Sequence, residues 1–481
     1  MASTTSKPQQ RLGLSLLIAL VVGSIIGSGI FALPQNMAVG AGAGAIVIGW
    51  LITGAGMLML AFVYQMLAIR KPELDNGIYA YARALAGEYV GFNAAWGYWL
   101  SAWIGNVGYH VVAFGALGYF YPAFGEGNTP EAIIGASIVL WVVHTLVLRG
   151  IQGATVLNAV VTIAKLAPLV LFIVVLITFF SIDTFKLDFW GDAELGSVLT
   201  QVKSTMLVTV WVFIGIEGAS VYSARAINRA DVGRATVSGF LICLALLSAV
   251  SLLSLGVMSQ PELAQLKNPS MAAVLEKAVG HWGALVIYIG LMVSVGGGFL
   301  AWTLLAAESL FTPAKGGVMP TALTKLNSKG VPANALWLTN GMVQLFLILT
   351  LLSKATYLAL ISLSTAMILL PYLFSAIYGI KVVFAQNERV QEAIKSIAYS
   401  DVMKSIAVVA AVYCLWLLYA AGMKYLLLSA LLYAPGAALY FWAKRQRHER
   451  AFTATEGVVL AVLFALAATS AYLLDTQKIA L

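Results

Sequence analysis

GSIIGSGIF, residues Gly23 through Phe31, interrupts a run that is otherwise apolar enough to cross a bilayer. Its three glycines and two serines are poor material for a continuous helix, since each interior glycine costs about 1 kcal/mol relative to alanine. In hydrocarbon, an unwound backbone survives only where protein covers it or where it lines a cavity. A first span broken here points to a buried site for a small polar solute near the bilayer midplane. The N–H groups that open the second half-helix suit an anion such as a carboxylate, with Gly27, Ser28 and Gly29 as donors. Close packing of helices through small residues is the competing explanation.

The rest of the 481-residue chain agrees with a membrane setting. It is 61% hydrophobic and 10% charged, against roughly 25% charged in a soluble domain. Apolar windows of about 20 residues recur. Expected spans are 12–34, 44–69, 84–120, 131–148, 153–180, 203–223, 234–258, 281–310, 332–352, 356–381, 404–421, 425–443 and 456–474. The fold class is therefore an all-α polytopic membrane protein with about thirteen transmembrane helices; a barrel would show ten-residue alternating segments instead. Most of the 28 basic residues, including Arg70, Lys71, Arg83, Arg149, Lys315, Lys329, Lys444 and Arg447, fall in segments on one side. The positive-inside rule then puts the N-terminus in the cytoplasm and the C-terminus outside. The net charge of +8 has this origin, and no nucleic-acid motif accompanies it. Cys243 and Cys414 sit in apolar spans without metal-ligand spacing and read as small core residues. The sequence calls for no metal and no cofactor.

A second break, FIGIEGAS at Phe213–Ser220, lies in the sixth span. The second break lies five spans after the first, and the two spans run in opposite directions. Interrupted helices in matching positions of opposed halves are the sequence pointer to an inverted-repeat transporter. The expected organisation is a cytoplasmic tail at 1–11, a 5+5 core at 12–381 (repeat one about 12–180, repeat two about 203–381) and accessory helices at 382–481.

Charges inside these spans are candidate working parts. A carboxylate within a membrane helix is costly and functional by default, so Glu217 is expected to change protonation with substrate; a fixed hydrogen bond to backbone is the alternative. Lys165 lies too deep in its span to reach the surface. It suits a fixed countercharge in place of a sodium ion, a proton carrier, or a structural ion pair. Glu308 reads as a solvated charge at the end of its span, and His110 and His144 as satisfied core histidines. Trp211 and Trp302 lie away from the rims and offer aromatic faces to a cation, worth about 0.5–2 kcal/mol. Asn106 is a buried amide for a substrate head group or for a neighbouring helix. No nucleotide, dinucleotide or zinc-protease signature is present, so transport has to draw on solute or ion gradients.

Taken together, GSIIGSGIFALPQN, WGYWLSAWIGN, WVFIGIEGAS, GGGFLAWTLLAAE and STAMILLPYL resemble the amino acid–polyamine–organocation superfamily, in its basic amino acid/polyamine antiporter branch. Within that branch, KPELDNGIYAYARA, FGEGNT, LGVMSQPEL and VPANALWLTN look like members that supply arginine catabolism. The resemblance implies the inverted-repeat (LeuT-like) fold with discontinuous first and sixth helices. It also implies alternating access, and exchange of external L-arginine for internal L-ornithine across a bacterial inner membrane. It places the substrate carboxylate near Ile26, Gly27, Ser28 and Gly29. Ser101, Ala102 and Asn106 come onto the site, with Asn106 toward the guanidinium. Trp211 becomes a gating and stacking residue, Ile214 an α-amino contact through its carbonyl, Glu217 a proton-sensing residue and Trp302 an aromatic contact. Ser364 is a weaker carry-over. Lys165 departs from arginine–agmatine exchangers and is similar to proton-linked members with a lysine where others bind sodium. The expected partners are small cationic amino acids and the lipid bilayer, with no nucleic acid; a homodimer is compatible with the chain. The rival readings are a lysine–cadaverine or other basic amino acid exchanger, a proton-coupled permease, a transporter-like amino acid sensor and a membrane enzyme. A sensor would call for a signalling domain and an enzyme for a catalytic constellation.

Overall fold

A computed structural model describes residues 13–74, 77–150, 155–217, 227, 229–353, 355–385 and 397–479. Among them there is no strand, only an isolated antiparallel bridge between Leu326 and Pro332. The helices in chain order are α1 (Leu14–Ile25), α2 (Leu33–Ala38), α3 (Ala43–Arg70), α4 (Gly77–Ala86), α5 (Glu88–Leu117) and α6 (Pro130–Leu148). There follow α7 (Thr155–Phe179), α8 (Ile182–Lys186), α9 (Val198–Trp211), α10 (Arg229–Ser254), α11 (Gln260–Ala264) and α12 (Ser270–Val279). The chain continues with α13 (His281–Lys315), α14 (Ala333–Ser353), α15 (Tyr357–Phe384), α16 (Ile397–Tyr433), α17 (Gly436–Gln446) and α18 (Ala454–Asp475).

Local chemistry sets several of these ends. Thr129 accepts the Ala132 N–H to cap α6, and Pro130 stands in its first turn, where a missing N–H costs nothing. Thr453 and Glu456 form a reciprocal capping box at the start of α18. Gly422, at φ 75° and ψ 165°, breaks the helical path inside α16. That break coincides with the expected boundary between the eleventh and twelfth spans.

Among the described residues, nine helices are long and apolar enough to cross a bilayer, or ten if the bent pair Leu14–Ile25 and Gly29–Ala38 counts as one. Two features of the described chain account for part of the difference from the expected thirteen. α9 has only 14 residues before its chain turns. The stretch Asp401–Gln446 reads as one long span although Gly422 divides it. The remainder of the expected sixth span, Gly218 onward, and residues 151–154 of the fifth lie outside the described residues.

α5 and α15 form the centre of the bundle. Their most apolar windows are 89% and 83% buried, against 11% for α18 at the periphery. α15 packs on α5, α9 and α16, while α13 packs on α5, α7 and α14. The α1–α10 contact closes the side that carries the first break.

Polar ties gather at two ends. At one, Lys444 pairs with Glu88 and, at 2.6 Å, with Glu449; Arg83 also meets Glu88, Lys381 Nζ donates to the Ala84 carbonyl at 3.2 Å, and Asn327 donates to the Leu148 carbonyl at 2.8 Å. At the other, Gly42 N–H donates to Gln201 Oε1 at 2.9 Å, Gln260 Nε2 donates to the Ala38 carbonyl, and Lys277 pairs with Glu262 at 3.0 Å. These rims fix the helix ends, so that the interrupted spans between them are held from both sides.

Lys444→Met is expected to lower the thermal midpoint in detergent, because it leaves Glu88 and Glu449 with one cation fewer. The expected loss is about 1–3 kcal/mol, the scale of charged hydrogen bonds. An unchanged midpoint would mean that this tie contributes nothing.

Candidate functional site

The first break is a real interruption of the helix. Ile26 leaves helical geometry at φ −76° and ψ 100°, a 3-10 turn covers Gly29–Ala32, and the two halves are bent by 47°. The second break begins where α9 ends at Trp211, and residues 212–217 turn without forming a helix. Gly215 lies at φ 109°, a region open to glycine, and a Cβ there would sit 2.7 Å from the Ser24 carbonyl oxygen. The absent side chain lets the two breaks touch: Ser24 Oγ donates to the Gly215 carbonyl at 3.2 Å.

Between the breaks lies a narrow recess. Of the expected site residues, Ile26, Gly27, Gly29, Ser101, Ala102, Trp211, Ile214 and Trp302 line it. Gly29 makes the approach of the two spans feasible, because a Cβ there would meet Trp211 Nε1 and Val212 Cγ1 at 2.8 Å. The recess is thus walled by loosened backbone on one side and aromatic rings on the other.

Ser28, Asn106 and Ser364 do not line the recess. Ser28 Oγ is turned to the Tyr357 hydroxyl, 3.0 Å away. Ser364 Oγ donates to the Ser101 carbonyl at 2.7 Å, bracing the residue that does line it. Asn106 is fully buried and donates from Nδ2 to Thr303 Oγ1 at 3.3 Å.

Glu217 and Lys165 each hold one break from behind. Glu217, 6% exposed, accepts from the hydroxyls of Tyr98 and Tyr372, both at 2.9 Å, and from the Gly215 N–H at 3.2 Å. Lys165, 3% exposed, donates to the carbonyls of Gly23, at 2.7 Å, and Ile26. Those carbonyls end the first half-helix, the negative pole of its dipole, so a cation is well placed there. Ser294 Oγ adds a bond to the Gly27 carbonyl at 3.2 Å.

Tyr109, Gly105, Ser24 and Leu247 also line the recess and were not singled out from the sequence. The signal for Tyr109 was available: Ser101, Gly105 and Tyr109 repeat every four residues and share one face of α5. Tyr109 packs edge-on to Trp211, with centroids 6.4 Å apart. Of the residues expected to be structural, Glu308 is exposed and accepts from Thr312 at 2.9 Å. His110 and His144 depart from the expectation of fully satisfied rings, since Nε2 of each has no partner among the described residues. Among the described residues no cluster of His, Cys, Asp or Glu is suited to a metal.

Comparison with known proteins fits this geometry. A family model described as amino acid permease matches residues 12–464. An arginine/ornithine antiporter of Pseudomonas aeruginosa is 53% identical over 476 residues, covering 97% of this chain and 98% of its own. An L-lysine transport protein of Corynebacterium glutamicum is 44% identical, covering 94% of this chain and 93% of its own. An arginine/agmatine antiporter of Chlamydia caviae is 42% identical, with 99% of both chains covered.

Lys165→Met is expected to destabilise the protein, leaving the buried Ile26 carbonyl and the half-buried Gly23 carbonyl without their donor at about 1–3 kcal/mol each. Thermal unfolding in detergent checks this. Wild-type stability in the variant would remove Lys165 as the prop of the first break.

Proposed function

The chain belongs to the amino acid permease family of the amino acid–polyamine–organocation superfamily, and from that premise we propose that it exchanges external L-arginine for internal L-ornithine by alternating access. The observation that carries the reading is the meeting of two interrupted spans over one recess, with Trp211, Trp302 and Tyr109 in its wall. Such a recess suits a zwitterionic head with a cationic side chain. Loosened backbone at Gly27 and Gly29 takes the carboxylate, the Ile214 carbonyl takes the α-amino group, and the aromatic faces take the side-chain cation. The names and near-complete coverage of the relatives support this substrate class.

Glu217 acts as the proton-sensing group in this proposal. Its carboxylate holds the Gly215 N–H, and the Gly215 carbonyl accepts from Ser24. A proton gained or lost at Glu217 therefore changes a bond one residue from Ile214 and one step from the first break. Lys165 provides the fixed positive charge behind that break. Binding then favours the intermediate in which both breaks close on the solute, and the empty carrier reorients poorly.

Arginine and ornithine each carry about one positive charge near neutral pH. One-for-one exchange is electroneutral, so a membrane potential worth about 2.3 kcal/mol per charge per 100 mV leaves it unmoved. The proposal includes a bacterial inner-membrane location, a cytoplasmic N-terminus and an outer C-terminus, supported by the basic bias of one rim. It includes a 12–381 core with accessory helices after it, and a carrier rather than a catalytic role. Lysine exchange or arginine–agmatine exchange is the second reading, supported by the names of the other relatives.

Counterflow in liposomes with arginine, ornithine, lysine, agmatine and histidine as competitors separates these readings. Arginine and ornithine are expected to compete best, with a rate independent of imposed potential; net arginine uptake into liposomes without internal substrate would defeat obligatory exchange. Glu217→Gln is expected to flatten the pH dependence of exchange more than it weakens binding. A variant with the wild-type pH profile would strip Glu217 of its sensing role.

A further inference from the structure

A groove runs along the outer side of α6, where α14 packs against it. Ile134, Ile138 and Val142 line it from one face of α6, four residues apart, with 62%, 60% and 53% of their surface exposed. Ile348 of α14 lines the opposite wall and is 45% exposed. The polar groups of the groove are already satisfied. Trp141 Nε1 donates to Gln344 Oε1 at 2.9 Å, Gln344 Nε2 donates to Ser137 Oγ at 2.9 Å, and Thr145 Oγ1 donates to the Trp141 carbonyl at 2.8 Å. What the groove offers outward is therefore apolar contact.

One mouth of the groove is different. Arg149, directly after α6, is the one charged residue among those lining the groove, and it is exposed. Gly150, the next residue, stands at φ 81°, and a Cβ there would meet Lys329 Cβ at 3.1 Å. The turn that carries Lys329 is tied to the end of α6. Asn327 Nδ2 donates to the Leu148 carbonyl at 2.8 Å, and Asn327 Oδ1 accepts the Lys329 N–H at 2.9 Å. Two cations are thus brought to one mouth by backbone geometry. Neither forms an ion pair among the described residues. The sequence explains this: 132–182 and 309–387, which build the groove and its rim, contain no Asp or Glu.

An occupant with an apolar tail and an anionic head complements both features. From Ile134 to Arg149 the helix rises about 22 Å at 1.5 Å per residue, and one leaflet holds about 15 Å of hydrocarbon. A chain whose head lies at Arg149 therefore follows the groove through the full depth of its leaflet. A phosphate meets an arginine through two parallel N–H groups and a lysine as a point charge.

We propose that the groove between α6 and α14 binds an anionic phospholipid, with the headgroup phosphate on Arg149 and Lys329 and one acyl chain along Val142, Ile138 and Ile348. The groove shares no lining residue with the recess between the two breaks, so the site is independent of which solute is carried.

Full-length protein in detergent, titrated with dioleoyl phosphatidylglycerol or dioleoyl phosphatidylcholine and read by native mass spectrometry, tests this. Phosphatidylglycerol is expected to be retained at about tenfold lower concentration than phosphatidylcholine. Arg149→Gln combined with Lys329→Gln is expected to erase that preference, whereas Arg445→Gln, which removes an exposed arginine of α17, is expected to keep it. Val142→Trp fills the groove without touching either charge and is expected to lose phosphatidylglycerol as well. A photoreactive group on the acyl chain of phosphatidylglycerol is expected to label peptides of α6 and α14 in the wild type. A wild-type thermal midpoint reports a folded variant. Preference kept in the double variant, equal loss in Arg445→Gln, or label confined to other helices overturns the proposal. Equal retention of both lipids by the wild type does so too, and leaves Arg149 and Lys329 as charges that orient the chain in the membrane.

Discussion

A buried lysine amine donating to two peptide carbonyls is what allows the first span to break off at Ile26. Hydrocarbon offers no water to groups that a broken helix sets free. Lys165 caps the Gly23 and Ile26 carbonyls, and Ser294 takes that of Gly27. The helix dipole adds to the attraction, because those carbonyls are its negative end. With the broken end satisfied from behind, the backbone of Gly27 and Gly29 is left to line the recess.

The second break is supported by different means. Here a carboxylate, Glu217, receives two tyrosine hydroxyls and one backbone N–H. A lysine props one interruption and a glutamate the other, each suited to the groups it meets. The two props are joined through Ser24 and Gly215, and Gly215 needs its left-handed conformation to make that junction. The rings of Trp211, Tyr109 and Trp302 then close the recess from the sides that backbone does not cover.

Much of this was legible in the sequence. Both breaks announced themselves through glycine and serine inside apolar runs, and Gly422 fell at an expected span boundary. Glu217 and Lys165 stood out because ionisable groups are expensive in membrane helices. Their partners did not stand out. Tyr98 and Tyr372 are 119 and 155 residues from Glu217, and the carbonyls under Lys165 are about as far from it; such pairings depend on tertiary packing. The turning of Ser28 and Ser364 to neighbouring helices was equally hidden, since a motif fixes a position on a helix and not the rotamer found there; for Asn106 a neighbouring helix was one of the two readings. Tyr109 could have been reached by extending the period of Ser101 and Gly105 by one turn.

The tether on Lys165 has a thermodynamic consequence. A sodium ion in that place would be a passenger, and its fall down a concentration difference would do work on every cycle. A lysine amine joined covalently to α7 fills the same carbonyls of the broken turn but stays with the protein when the solute departs. The only particle it is able to hand on is its proton. Unless it does so, direction and driving force have to arrive entirely with the molecules being swapped.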